Sequence, residues 1–141
     1  MKILLATDGS SNALRATDYV TKLAEEGINL QISVLTVVTL TLEIALVDGL
    51  NKEEYYKLVE IRANSVFKKH KEKLDHYKQL KVEYIVKQGD IAQEIVDFSE
   101  KEQHDQIVIG SRGLSNIKEL FLGSVSHKVI QIAKCPIVIV K

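Results

Sequence analysis

Apolar positions along this chain follow two periods that alternate. Ile3-Leu4-Leu5-Ala6 is short and continuously apolar, the pattern of a strand covered on both faces. Ala13, Ala16, Val20, Leu23 and Ala24 then recur at helical spacing until Gly27 closes the segment. Ile32 to Val38 is rich in β-branched residues and predicts a second strand. Val59, Ala63, Val66, His70, Leu74 and Tyr77, three or four apart, predict a long helix. A third strand runs from Val82 to Val86. Gly89-Asp90 then opens a helix that carries Ile91, Ile95 and Val96 inward, with Asp90 as N-cap and Gln93 completing a capping box. Ile107-Val108-Ile109 is the fourth strand and ends at Gly110. After a loop and a short segment, a last helix begins at Gly123-Ser124 and carries Val129, Ile130 and Ala133. Pro136 to Val140 forms the final strand, with Pro136 at the first position, where a missing N–H is tolerated.

Strand and helix alternating in this way mean parallel βαβ units with right-handed crossovers, an α/β fold. The order of strands across the sheet is not encoded in the periodicity. No repeat, low-complexity stretch or linker divides residues 1–141, so one domain is expected. Thr39 to Asn51 breaks the regular scheme. It holds Leu40, Leu42, Ile44, Leu46 and Leu50, too many apolar residues for a solvated loop. Either a short helix or strand extension covers the core there, or the segment is a lid or subunit contact beside the strand ends.

Composition narrows the function classes. At 45% hydrophobic and 27% charged residues, the 141-residue chain has the balance of a globular protein. Lys plus Arg and Asp plus Glu are equal at 19 each, so no bulk charge favours a phosphate backbone and nucleic-acid binding is not expected. Cys135 is the sole cysteine, which rules out an internal disulfide and fits a reducing compartment. The opening Met1-Lys2-Ile3-Leu4-Leu5-Ala6 reaches Asp8 too soon for a signal peptide, and no apolar run approaches a membrane span. A soluble cytoplasmic protein with no membrane contact is the expectation.

Two glycine-bearing turns stand at carboxyl ends of strands, where open parallel sheets bind ligands. Thr7-Asp8-Gly9-Ser10 alone is a turn with a helix cap. Gly110-Ser111-Arg112-Gly113, followed after nine residues by Gly123-Ser124-Val125-Ser126, is richer. Gly110 and Gly113 would let backbone approach a ligand without Cβ obstruction. The N–H groups of Ser124, Val125 and Ser126 would point outward at the positive end of a helix dipole, with two hydroxyls and Arg112 beside them. These are the parts of a phosphate cradle, although such turns also occur without a ligand. His70 is expected to pack in the long helix, and His127 to lie exposed. His76 and His104 lack partners at metal-ligand spacing. Lys68 to Lys81, six lysines against Glu72 and Asp75, reads as a solvated face.

These motifs together resemble the universal stress protein family. Asp8-Gly9-Ser10 with Ala13 and Ala16 is similar to its amino end. Gly110-Ser111-Arg112-Gly113 … Gly123-Ser124 matches its ATP-binding pattern G-x2-G-x9-G-[ST], and Cys135-Pro136-Ile137-Val138-Ile139-Val140 is similar to its closing strand. The resemblance spans the chain and implies a five-stranded parallel sheet of order 3-2-1-4-5, with ATP between the first and fourth strands. It implies nucleotide contacts from Ala6, Thr7, Asp8, Val37, Val38, Gly110, Ser111, Arg112, Gly113, Gly123, Ser124, Val125 and Ser126. The backbone near Val37 and Val38 would meet adenine. Asp8 would lie beside the nucleotide and a divalent cation, Mg²⁺ or Mn²⁺. It further implies a homodimer through strand 136–140. Thr7 departs from the pattern, because an aliphatic residue is common there.

The function implied is an ATP-binding regulatory module in stress response, with a slow ATPase or nucleotide-dependent enzyme as the alternative. Hydrolysis has little support, because the chain lacks the phosphate lysine of G-x4-G-K-[ST] and an obvious base to orient water. A phospho-acceptor receiver domain would need an aspartate after the third strand, where Lys87-Gln88-Gly89 stands. A flavin site would want aromatic walls, and the chain has no Trp.

Overall fold

A computed structural model describes residues 1–114 and 122–141. Five strands, β1 (Lys2–Ala6), β2 (Gln31–Val38), β3 (Lys81–Gln88), β4 (Gln106–Gly110) and β5 (Ile137–Val140), form one parallel sheet in the order 3-2-1-4-5. The helices between them are α1 (Ser11–Glu25), α2 (Leu42–Val47), α3 (Lys52–Leu74), α4 (Ile91–Lys101) and α5 (Ser124–Ile132). The expected order is the observed one.

Strand pleating divides the core into two layers. Ile3 and Leu5 of β1 point to one side, where Ala16 and Val20 of α1 and Ala63, Phe67 and Leu74 of α3 cover them. Leu4 and Ala6 point to the other, beneath Ile95 and Val96 of α4 and Val129 of α5. Central strands buried on both faces explain the unbroken apolar runs of β1 and β4. All four residues of β5 are half-buried, because that strand lies at the sheet edge.

Thr39 to Asn51 contains the short helix α2, capped by the Thr41 hydroxyl, which accepts the Ile44 N–H. Ala45 packs with Val38, Tyr55 and Val59, whereas Ile44, Leu46 and Val47 face outward. Several sequence expectations shift. Tyr77 lies beyond the end of α3, whose inner stripe includes Phe67. Ile130 is exposed, and Pro136 immediately precedes β5. Asp90 does cap α4 by accepting the Gln93 N–H, but the Gln93 amide donates to Asp97 instead of completing a box. The reciprocal capping box is at α3, between Asn51 and Glu54. The loop and short segment expected before Gly123 lie mostly outside the described residues.

Candidate nucleotide site

The strand order reverses direction between β1 and β4, and the two glycine turns meet there. After β1, the Thr7 N–H continues the sheet by donating to Leu35 O at 2.9 Å. The chain then turns at Gly9, whose φ of +79° suits glycine. Asp8 Oδ1 accepts the Ser10 N–H at 2.9 Å, and the Ser10 hydroxyl accepts the Ala13 N–H to cap α1. Asp8 Oδ2 accepts the Leu114 N–H at 3.0 Å, which ties the first turn to the second. A Cβ on Gly113 would collide with that same carboxylate oxygen.

After β4, the Ser111 N–H donates to Val140 O, and Ser111 O accepts both the Gly123 N–H at 2.7 Å and the Ser126 hydroxyl at 3.0 Å. Ser111 is thereby a buried clamp that seats the start of α5 against the end of β4. Gly123 is the N-cap of α5, at φ −71°, and supplies no capping side chain. The first-turn N–H groups of Ser124, Val125 and Ser126 therefore have no side-chain cap, and they border a cleft. Its volume is about 190 Å³.

Ala6, Thr7, Asp8, Val37, Gly110, Arg112, Gly113, Gly123, Ser124, Val125 and Ser126 all line this cleft. The structure does not bring Val38 or Ser111 to it. Val38 follows Val37 on the strand and so points to the opposite face, into the Ala45–Tyr55–Val59 cluster, while its carbonyl accepts the Gly89 N–H. Ser111 points to Asn12, whose amide donates to its hydroxyl at 3.1 Å. Gly110 lines the cleft with its backbone, but its lack of a side chain has another cause. A Cβ there would stand 2.8 Å from Ala13 N and from the Asn12 carbonyl carbon, so glycine is required for α1 to cross β4. Gly123 would meet only ordinary contacts.

Sequence reasoning missed the cleft's apolar wall: Leu35, Ile91, Ile95 and Ile109, with Ala13 and Leu114. Their strand-end and helix-start positions were the only available signal. His70 is fully buried behind the first turn, with its two ring nitrogens within 2.7 Å of Thr7 Oγ1 and 2.6 Å of Thr17 Oγ1. Burial lowers its pKa from the ordinary 6.5 to about 4, against the opposing pull of Asp8. His104 is also buried, bonded to Ser33, and its pKa is lowered by burial. His127 is exposed. Among the described residues no three His, Cys, Asp or Glu gather as a metal cage, and no helix is long and apolar enough to cross a membrane.

The family model of the universal stress proteins matches residues 1–141. The chain belongs to the universal stress protein family. The universal stress protein YxiE of Bacillus subtilis is 35% identical over 150 residues, covering 99% of this chain and 98% of the relative. Universal stress protein MJ0577 of Methanocaldococcus jannaschii is 35% identical over 158 residues, covering 99% and 94%. Its solved structure superposes with a TM-score of 0.84 at 34% identity, over 99% of this chain and 94% of its own. A universal stress protein family protein from Arabidopsis thaliana, solved with AMP bound, shares the fold at 18% identity. Its TM-score is 0.71, over 100% of this chain and 91% of its own.

Proposed function

We propose that the cleft between β1 and β4 binds an adenine nucleotide, ATP, and that the protein is a nucleotide-dependent regulatory module of the stress response. The observation that carries this reading is the junction of an apolar wall with an uncapped helix start in one cleft. Leu35, Val37, Ile95 and Ile109 offer a surface for adenine, on which a flat, weakly polar ring loses little by leaving water. The N–H groups at the start of α5, at the positive end of its dipole, suit phosphates. Arg112 adds charge and the Ser124 hydroxyl a further donor, while the Ser126 hydroxyl holds the cradle by donating to Ser111 O and Gly123 O. The same fold carries AMP in the Arabidopsis relative.

A divalent cation, Mg²⁺ or Mn²⁺, fits only as a passenger of the phosphates. Among the described residues Asp8 is the carboxylate lining the cleft, and each of its oxygens already accepts one N–H, leaving one lone pair apiece. That suffices for one oxygen to join a cation already carried by a triphosphate, the usual habit of Mg²⁺. Such a cation would screen phosphate charge. The sequence has no G-x4-G-K-[ST] phosphate lysine, so slow or absent hydrolysis is the expected behaviour. The half-buried edge strand β5 is proposed to pair with its twin in a homodimer, which would cover its unpaired backbone groups.

The direct test is to denature purified protein and chromatograph the released small molecules, then follow phosphate release from added ATP. Bound adenine nucleotide with negligible turnover supports the regulatory reading. Steady turnover would make the protein an enzyme, and failure to take up any adenine nucleotide would remove the assignment.

A further inference from the structure

Helix α3 touches the first turn through Val66 and His70, neither of which lines the cleft between β1 and β4. Val66 lies against Gly9, within 3.7 Å of the place a Cβ would occupy. One helical turn on, His70 sits between two threonine hydroxyls, Thr7 Oγ1 at Nε2 and Thr17 Oγ1 at Nδ1. The surrounding donors fix the direction of the chain. The Thr17 hydroxyl has a carbonyl acceptor in Ala13 O at 3.3 Å, four residues back on its own helix. Among the described residues the Thr7 hydroxyl has no acceptor other than Nε2, which places the imidazole proton on Nδ1. Nε2 is then an acceptor, and the Thr7 hydroxyl donates to it. Thr7 Oγ1 in turn accepts the Gly9 N–H at 3.0 Å. A single directed chain therefore runs from the Gly9 amide through Thr7, His70 and Thr17 to the carbonyl of Ala13. Every hydroxyl and ring nitrogen along it is satisfied, and burial keeps the imidazole neutral at ordinary pH.

We propose that His70 is a positioning residue for the nucleotide cleft: by accepting from Thr7, it fixes the Thr7–Asp8–Gly9 turn that the cleft presents to its ligand. Thr7 and Asp8 both line the cleft, whereas His70 is fully buried behind them and acts only through Thr7. This explains a hydroxyl where an aliphatic residue is common. An aliphatic side chain would leave the Gly9 N–H and the imidazole Nε2 without partners, so in this chain Thr7 and His70 are needed together. Without the chain, the turn could rotate away from Leu114 and the cleft.

The role rests on the nucleotide reading of the cleft, and the experiment separates the two. ATP is titrated calorimetrically into wild type, Thr7→Val, Thr7→Ser and His70→Leu, with thermal unfolding measured on each. Thr7→Val keeps the side-chain shape and removes the hydroxyl, and a loss of about 3- to 10-fold in affinity is expected, the equivalent of one hydrogen bond. Thr7→Ser restores the hydroxyl and is expected to bind within about twofold of wild type. Nitrogen-15 spectra of wild-type imidazoles supply a second readout that needs no variant. His70 should show Nδ1 protonated and Nε2 unprotonated at pH 7, with the Nε2 resonance moving when ATP is added. Failure of wild type to take ATP removes the nucleotide reading and this role with it. Wild-type binding that Thr7→Val or His70→Leu matches in full, despite a lowered unfolding temperature, overturns the positioning role alone. A protonated Nε2, or an Nε2 resonance unmoved by ATP, overturns it as well.

Discussion

Acidification should weaken this protein through His70 more than through any ordinary surface histidine. In the folded chain the imidazole has no solvent exposure and its pKa falls to about 4, while in the unfolded chain it returns to 6.5. Between those values the unfolded state binds a proton that the native state refuses. The stabilising contribution is therefore complete above pH 6.5, lost progressively as pH falls, and exhausted near pH 4. The full difference corresponds to about 3 kcal/mol, of which about 2 kcal/mol disappears between pH 7 and 4.5. The charges that face the ring are Asp8 and Asp18, which favour its protonation, and Lys73, which opposes it; desolvation outweighs them. Urea unfolding midpoints measured from pH 7 to 4.5 on wild type and His70→Gln would isolate the effect. The variant is expected to start less stable, because it disturbs the bonds to Thr7 and Thr17, and then to lose less with acid. His104 shifts in the same direction in both proteins and drops out of the comparison. Two parallel profiles, with a constant gap at every pH, would refute the claim that a neutral buried imidazole sets the dependence.

Gly110→Ala should destabilise by about 1–3 kcal/mol, because its Cβ would press on the α1 backbone; a urea midpoint equal to wild type would show that α1 can shift freely. Pro136 O and Val140 O face β4, so by alternation the Ile139 N–H points off the outer edge of β5, and Ile139→Pro removes that unpaired donor. Light scattering should then report monomer or aggregate in place of the proposed dimer, and an unchanged dimer would place the interface elsewhere.

The elements of the fold were legible because each has a clean period, and central strands covered on both faces leave unbroken apolar runs. Strand order was not in the period; it came from the resemblance of the glycine motifs. Both glycine turns were legible for the same reason, since Gly and Ser stand out against an apolar background. The cleft's wall was not, because Leu35, Ile95 and Ile109 are chemically the same as the core residues beside them. Val37 and Val38 were expected to offer their backbone to adenine; strand alternation sends only the Val37 side to the cleft, and the Val38 side chain packs with Ala45, Tyr55 and Val59. Gly110 shows that a motif glycine can be required by helix packing as well as by a ligand. A capping box was expected at Asp90, whereas Asn51-x-x-Glu54 carried the better-matched signal and forms the box. The partners of His70 lie 63 and 53 residues away in sequence, a distance over which no local pattern speaks.

Calorimetric titration of ATP into wild type and Gly123→Val addresses the central claim most directly. Gly123 has a φ of −71°, so valine there strains no backbone, and its Cβ would stand against the Arg112–Gly113 turn that lines the cleft, 3.4 Å from Arg112 Cα. Wild type is expected to bind ATP saturably, and ATP at a hundred times the dissociation constant should add about 2.7 kcal/mol to its stability. The variant should keep its fold and lose most of the ATP affinity, while adenosine, lacking phosphates, should bind both proteins weakly and alike. Equal ATP affinity in the two proteins would move the phosphates away from the start of α5. No ATP binding by wild type, with or without Mg²⁺ or Mn²⁺, would contradict the account.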